Sequence, residues 1–324
     1  MSDTVEIADV ERELSRLWRE AAQSGQASQP GPGGETRAPA VMRACALNLV
    51  VAGCGGEQEG LAEILLEVTA RHPCRAILVL TEEEAAPGPG ADHAGPRAWV
   101  SMMCHPGGRG QPQVCSEQIV LTAPPAARHE LVASVAGLLV ADLPTFLWWR
   151  GPLPESAPER ERFEHLADVA DRLLFDSLRY DAAQLTRAAE LARAYHRLPF
   201  GDLNWARLTS WRAAVAQCFD PPAVQMLLPS LEKALIFYSE QAVAGPPPAT
   251  RLLGGWLRSR LQRSLPVELM AGDADLLELH AAEACFRVAR PPAATDSAAL
   301  SEELRLLGRD LVFEQALEAA AEDL

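Results

Sequence analysis

Ile7, Val10, Leu14, Leu17 and Trp18 recur at the three- and four-residue spacing of one helix face, so the pattern opens on an amphipathic helix. Asp3 or Thr4 is placed to cap it. A lone apolar stripe usually packs on its own body, and that docking is the expectation here. From Ala21 to Pro39 periodicity disappears into AAQSGQASQPGPGGETRAP, whose Gly, Pro, Gln and Ser content reads as a flexible tether.

Beyond Ala40 strands and helices alternate. CALNLVV (Cys45–Val51) reads as a strand, and Leu61, Ile64, Leu65 and Val68 mark a helix. CRAILVL (Cys74–Leu80) is the next strand, followed by a loop over Glu82–Arg97 and two strands, AWVSMMC and EQIVLTA, that pair as a hairpin. A helix around Glu130–Ala141 leads into the strand TFLWW (Thr145–Trp149). The Pro- and charge-rich segment Gly151–Arg162 is the clearest internal change of composition. After it come a short helix, the strand DRLLFDS (Asp171–Ser177) and a helix through Leu185, Leu191 and Tyr195. The strand ALIFY (Ala234–Tyr238), a helix carrying Leu252, Leu253, Trp256, Leu257 and Leu261, and the strands VELMAG and CFRVAR follow. A last helix is read with Leu300, Leu304, Leu307 and Leu311 on one face.

This alternation predicts an α/β fold in two domains, each a mixed sheet covered by helices, behind an N-terminal helix on a flexible linker. The expected divisions are 1–39 for helix and linker, 40–160 for the first domain and 161–324 for the second. The boundary is soft, because one sheet could continue through DRLLFDS.

Charge and cysteine content narrow the partners. The chain of 324 residues carries a formal net charge of −15. Phosphate backbones and anionic membrane surfaces require clustered Lys and Arg, so neither nucleic acid nor membrane is an expected partner. The longest apolar stretch, Leu131–Val140, is far short of the ~20 residues of a membrane span. Acidic residues stand where a signal peptide needs basic ones, and seven cysteines make an odd set without a CxxC pair. A cytoplasmic protein is the expectation.

Candidate chemistry is thin. Gly53-Cys54-Gly55-Gly56 follows a strand and precedes a helix, where backbone N–H groups could cradle a phosphate. Neither GxGxxG nor GxxxxGK[ST] is present, and Glu57 and Glu59 would repel an anion, so a tight turn is the expected reading. Cys104-His105 with Cys115 lacks the paired spacing of structural zinc, and no metal is expected. GxSxG and HExxH are absent and the seven histidines form no triad spacing, so no catalytic residue and no cofactor are assigned.

Two segments stand out. ADLPTFLWWRG sets Trp148 and Trp149 side by side, with Arg150 directly after the strand. DLNWARLTSWR packs Asp202, Asn204, Trp205, Arg207, Trp211 and Arg212 into eleven residues, with Asp202 or Asn204 able to cap a helix. Trp and Arg dominate binding hot spots, but they equally anchor cores and internal ion pairs; residue type alone leaves both open.

These two segments resemble signature stretches of the glucose-6-phosphate dehydrogenase assembly protein family, OpcA. The resemblance extends to LSRLWRE, RACALNLVV, CSEQIVL and ADRLLFDS, and so from about Glu6 to Pro222, more loosely beyond. It implies a non-catalytic protein that binds glucose-6-phosphate dehydrogenase, the enzyme that opens the oxidative pentose phosphate pathway and makes NADPH, and promotes its oligomerisation or activity. On that reading Trp148, Trp149, Arg150, Asp202, Asn204, Trp205, Arg207, Trp211 and Arg212 are outward-facing partner contacts. The competing readings are a sugar-phosphate or nucleotide-binding enzyme or sensor using the Gly53–Gly56 turn, and a scaffold with a cysteine-based redox switch.

Overall fold

The computed structural model describes residues 5–26, 41–53, 60–81, 95–106, 112–124, 127–239, 245–261, 265–282 and 284–322. The chain is a mixed α/β protein that divides into two compact units, Met1–Leu173 and Leu174–Leu324. The division falls inside a strand of the DRLLFDS segment.

The first unit begins with β1 (Val5–Glu6) and α1 (Val10–Gln26), then β2 (Val41–Arg43), β3 (Leu47–Ala52), α2 (Leu61–Arg71) and β4 (Cys74–Thr81). It continues with β5 (Arg97–His105), β6 (Gln113–Ala123), α3 (Arg128–Leu138), β7 (Thr145–Trp149), α4 (Ala157–Ala167) and β8 (Arg172–Phe175). The sheet order is β1-β5-β6-β4-β3-β7-β8, with β2 beside β6. β3 runs parallel to β4 and β7, and β4 parallel to β6. β5 and β6 pair antiparallel, as the two strand patterns predicted. Every residue of β3 and of β7 is buried, which is the unbroken apolar run expected of parallel strands covered on both faces.

The opening helix does dock on its own unit. Val10 and Leu14 are fully buried. Trp18 Nε1 donates to Glu117 Oε1 at 2.7 Å, and Glu11 pairs with Arg75 at 2.5 Å. The helix also runs to Gln26, six residues into the expected tether, because Ala21, Ala22 and Gln23 are good helix formers. The remainder of that tether, and the expected loop from residue 82 to 94, lie outside the described residues.

The second unit holds α5 (Ala182–Ala194), β9 (Phe200–Asp202), α6 (Leu203–Arg207), α7 (Thr209–Gln217) and α8 (Pro222–Gln225). Its own sheet uses β10 (Leu231–Ser239), then, after α9 (Pro248–Leu261), β11 (Val267–Gly272), β12 (Leu276–Ala281) and β13 (Ala284–Ala289). The order is β11-β10-β12-β13, with β10 parallel to β11 and the other pairs antiparallel. β12, the segment LLELHA, has no counterpart in the sequence reading. Buried and half-exposed positions alternate along β10, so this sheet has one covered and one open face.

The chain ends in two helices, α10 (Asp296–Glu303) and α11 (Leu311–Ala321), where one was expected. Asp310 breaks the run: its Oδ1 accepts from Val312 N and Phe313 N at 3.0 Å each, a side-chain cap that starts a new helix. Leu307 and Leu311, read on one face with Leu300 and Leu304, are consequently exposed.

Candidate functional site

The DLNWARLTSWR segment turns inward. Asp202 ends β9 and caps α6, accepting from Asn204 N at 2.9 Å, from Ser177 N at 2.9 Å and from Ser177 Oγ at 2.6 Å. Asn204 Nδ2 closes the ring on Ser177 Oγ at 3.1 Å. Arg207 forks onto Asp176, each nitrogen to one carboxylate oxygen at 2.8 Å, and its Nη2 also reaches Asp296 at 2.7 Å. Burial opposes the Arg207 charge, but these two carboxylates outweigh it and hold its pKa up. Trp205 Nε1 donates to Asp310 Oδ2 at 3.0 Å while its ring packs on Phe313, and Arg212 lies over the ring with its guanidinium 3.5 Å from the Trp205 centroid. Burial lowers the Arg212 pKa to about 10, so it remains a cation at neutral pH. Trp211 Nε1 donates to Val288 O at 3.3 Å, with Arg290 against its ring at 5.6 Å.

The expectation that these side chains face outward is therefore corrected. Asp202, Asn204, Trp205, Arg207 and Trp211 are all buried, and Arg212 is half-buried. The physical reason is that the Asp202, Trp205 and Arg207 side chains find their partners inside the same unit, on residues that sequence reasoning did not pair with them: Asp176, Ser177, Asp296 and Asp310. The only signal was the FDS end of the neighbouring motif.

In the first unit Trp148 and Trp149 point to opposite faces of β7, yet both are buried, because the sheet is covered on both sides. This too departs from the expected outward surface. Trp149 Nε1 donates to Pro152 O at 2.9 Å, its ring meets Phe163 edge-on at 5.2 Å, and Arg162 stacks against it at 5.5 Å. Arg150 is half-buried with its guanidinium 5.0 Å from the Trp148 centroid. Gly53 sits under this cluster at φ 72°, where a Cβ would come within 2.8 Å of the Trp149 ring. The glycine is thus required by packing as well as by its backbone angle. Residues 54–56 of the proposed phosphate turn lie outside the described residues.

A cleft of about 540 Å³ beside α3 and α4 is lined by Arg128, His129, Arg162 and His165 together with Glu159 and Glu161. Its mixed signs select no one ligand charge. Cys104 and Cys115, considered above with His105 as metal ligands, are instead joined in a disulfide across β5 and β6, where the register sets them opposite with Cα atoms 4.0 Å apart. His105 Nε2 is 2.8 Å from Thr69 Oγ1. The Cys45 and Cys74 thiols are both pushed up, by burial above all, so neither is held as a reactive thiolate. On β12 and β13, Glu278, His280 and Cys285 bring their donor atoms within 4.8 Å of one another, a cluster that no spacing rule singled out.

The buried Asp202 offers a prediction. Its carboxyl is pushed up to about 7, by burial first and by Asp176 second, against the lowering effect of its hydrogen bonds. The folded state then holds the proton to a higher pH than the unfolded state does, so stability falls as pH rises from about 4 to about 7 and levels above. Asp202→Asn should remove that component. The difference in unfolding free energy between the two proteins, measured from pH 4 to 8, should slope by up to about 1.4 kcal/mol per pH unit below 7. A pH-independent difference would show that Asp202 titrates normally.

The model described as the glucose-6-phosphate dehydrogenase subunit N-terminal domain of OpcA matches residues 66–193, and the corresponding C-terminal domain matches residues 198–285. A Nostoc punctiforme protein named as an OxPP cycle protein, OpcA, is 31% identical over 238 residues, covering 70% of this chain and 48% of that protein. Its Synechocystis namesake is 27% identical, covering 72% of this chain and 46% of that protein. The chain thus spans about half the length of these relatives. Among solved structures, an oxidoreductase from Thermotoga maritima superposes at TM-score 0.45 and 12% identity, covering 85% of this chain and 93% of its own. A 3-ketoreductase from Actinomadura kijaniata superposes at TM-score 0.40 and 10% identity, covering 85% and 94%. Among the described residues no helix is long and apolar enough to cross a membrane.

Proposed function

Since this chain belongs to the OpcA family of glucose-6-phosphate dehydrogenase assembly proteins, we propose that it binds glucose-6-phosphate dehydrogenase without catalysing a reaction of its own, favours the enzyme's oligomer and raises its activity. The observation that supports this reading is the consecutive match of both OpcA domain models, 66–193 and 198–285, across the two Trp- and Arg-rich motifs. The chemistry of the second motif agrees with a scaffold: Asp202, Trp205 and Arg207 are engaged with Ser177, Asp310 and Asp176 as internal braces. Contact with the enzyme, on this reading, comes from the half-buried edges of the motifs at Arg150 and Arg212, which the buried tryptophans hold in place.

An activator shifts its target only by binding the active form better than the inactive one. A tenfold lower KM for glucose 6-phosphate requires about 1.4 kcal/mol of differential affinity, a modest demand on a protein interface. The test is the cognate dehydrogenase assayed at varied glucose 6-phosphate with and without this chain, alongside its size on a gel-filtration column. A lower KM or higher kcat, with both proteins eluting together in a larger species, is the expected result. Unchanged kinetics together with unchanged elution would sink the reading.

A further inference from the structure

β12 and β13 form an antiparallel hairpin in which His280 stands opposite Cys285 and Glu278 opposite Arg287. Opposed residues share a face of the sheet, as do residues two apart on one strand, so these four side chains project together. The alternate residues Leu277, Leu279 and Val288 are buried on the covered face. On the open face His280 Nε2 lies 3.0 Å from Glu278 Oε2 and 3.8 Å from Cys285 Sγ. Arg287 Nε donates to the other carboxylate oxygen, Oε1, at 2.8 Å, which fixes the carboxylate with Oε2 turned to the imidazole.

We propose that Glu278, His280 and Cys285 form a binding site for a divalent transition metal of the zinc class. The donor set decides the class. Thiolate and imidazole suit zinc, whereas calcium and magnesium take oxygen ligands almost exclusively. Zinc bonds of about 2.0–2.3 Å arranged tetrahedrally place ligand atoms roughly 3–4 Å apart. Two of the separations already fall in that range, and the third lies within 4.8 Å, a gap that a turn of the exposed Cys285 side chain would close.

The proton balance is simple. Without metal, a hydrogen bond joins His280 Nε2 and Glu278 Oε2. A carboxylate only accepts, so that bond has the ring proton on Nε2; when metal binds, the proton exchanges through solvent to Nδ1 and bares Nε2 for the ion, while the Cys285 thiol releases its proton to solvent. Glu278 and the thiolate together supply two negative charges, which neutralise the ion. Lys233, opposite His280 on β10, is the cation that works against binding, and Arg287 holds the carboxylate from outside. Three protein ligands leave a fourth position on the open face for water or for a donor from another molecule. The site pins the two strands of the hairpin at its turn.

The experiment uses the whole chain, stripped of metal by a chelator, kept reduced and titrated with Co²⁺. One equivalent per chain should bind and give the charge-transfer absorption of a cobalt thiolate, and Zn²⁺ should displace it. Cys285→Ser should abolish that absorption, and His280→Ala should lose stoichiometric binding. Arg287→Ala should keep the absorption but weaken binding about 10- to 100-fold. These side chains lie on the open face, so circular dichroism should show all variants folded. Absence of stoichiometric binding by the unsubstituted chain overturns the proposal whatever the variants do. So does a thiolate absorption that survives in Cys285→Ser, because the ligand would then be another cysteine.

Discussion

Glu117→Ala is expected to cost the first unit about 3–5 kcal/mol and to loosen α1 from its sheet. Glu117 is almost wholly buried on β6 and accepts three partners: Arg75 Nε at 2.7 Å, Arg43 Nη2 at 2.8 Å and Trp18 Nε1 at 2.7 Å. Arg75 is as deeply buried, and burial alone would lower its pKa; Glu11 and Glu117 more than compensate and raise it. Removing Glu117 leaves that guanidinium with Glu11, whose own side chain is 57% exposed, and with the Leu138 carbonyl. A buried charge stripped of its main partner loses far more than an exposed one, because the low-dielectric interior cannot replace the lost carboxylate with water. Denaturant unfolding followed by the Trp18 environment should show an earlier midpoint, with α1 becoming protease-sensitive. An unchanged midpoint would mean that Arg75 finds another anion or reaches solvent.

Trp205→Ala should cost the second unit a similar amount, about 3–5 kcal/mol. The ring is 2% exposed, packs on Phe313 with centroids 5.7 Å apart, and supports Arg212 at 3.5 Å. Its Nε1–H bond to Asp310 Oδ2 is lost as well, although Asp310 Oδ1 can still cap α11. Trp205→Phe, which keeps most of the packing and loses the donor, should cost roughly 1–2 kcal/mol. Denaturant midpoints of the two variants measure both. If Trp205→Ala instead leaves the midpoint in place and only abolishes binding to the dehydrogenase, the ring belongs to an interface and not to a core.

Much of the fold could be read from spacing. TFLWW is a strand with the bounds read from its pattern, and Leu61, Ile64, Leu65 and Val68 lie on α2. The antiparallel pairing of β5 and β6 also followed from two apolar runs close in sequence. These succeed because a period of 2 or 3.6 is a local property. LLELHA was missed because its leucines fit neither period clearly, and it becomes a strand by pairing with β10 and β13. The single final helix divided because a capping Asp310 outweighed a continuous leucine stripe.

What the sequence by itself determined is the α/β class, the position of the principal strands and helices, and, through motifs that resemble OpcA, the family. What only the tertiary structure decided is which way the conspicuous side chains face. Trp205 and Arg207 look the same in sequence whether they meet a partner or meet Asp310 and Asp176, because those carboxylates lie 105 and 31 residues away. The same holds for Glu278, His280 and Cys285, ordinary residues in sequence that the pairing of β12 with β13 turns into one cluster. Periodicity is set by neighbours along the chain, whereas burial, ion pairing and ligand geometry depend on contacts that exist only after the chain has closed on itself.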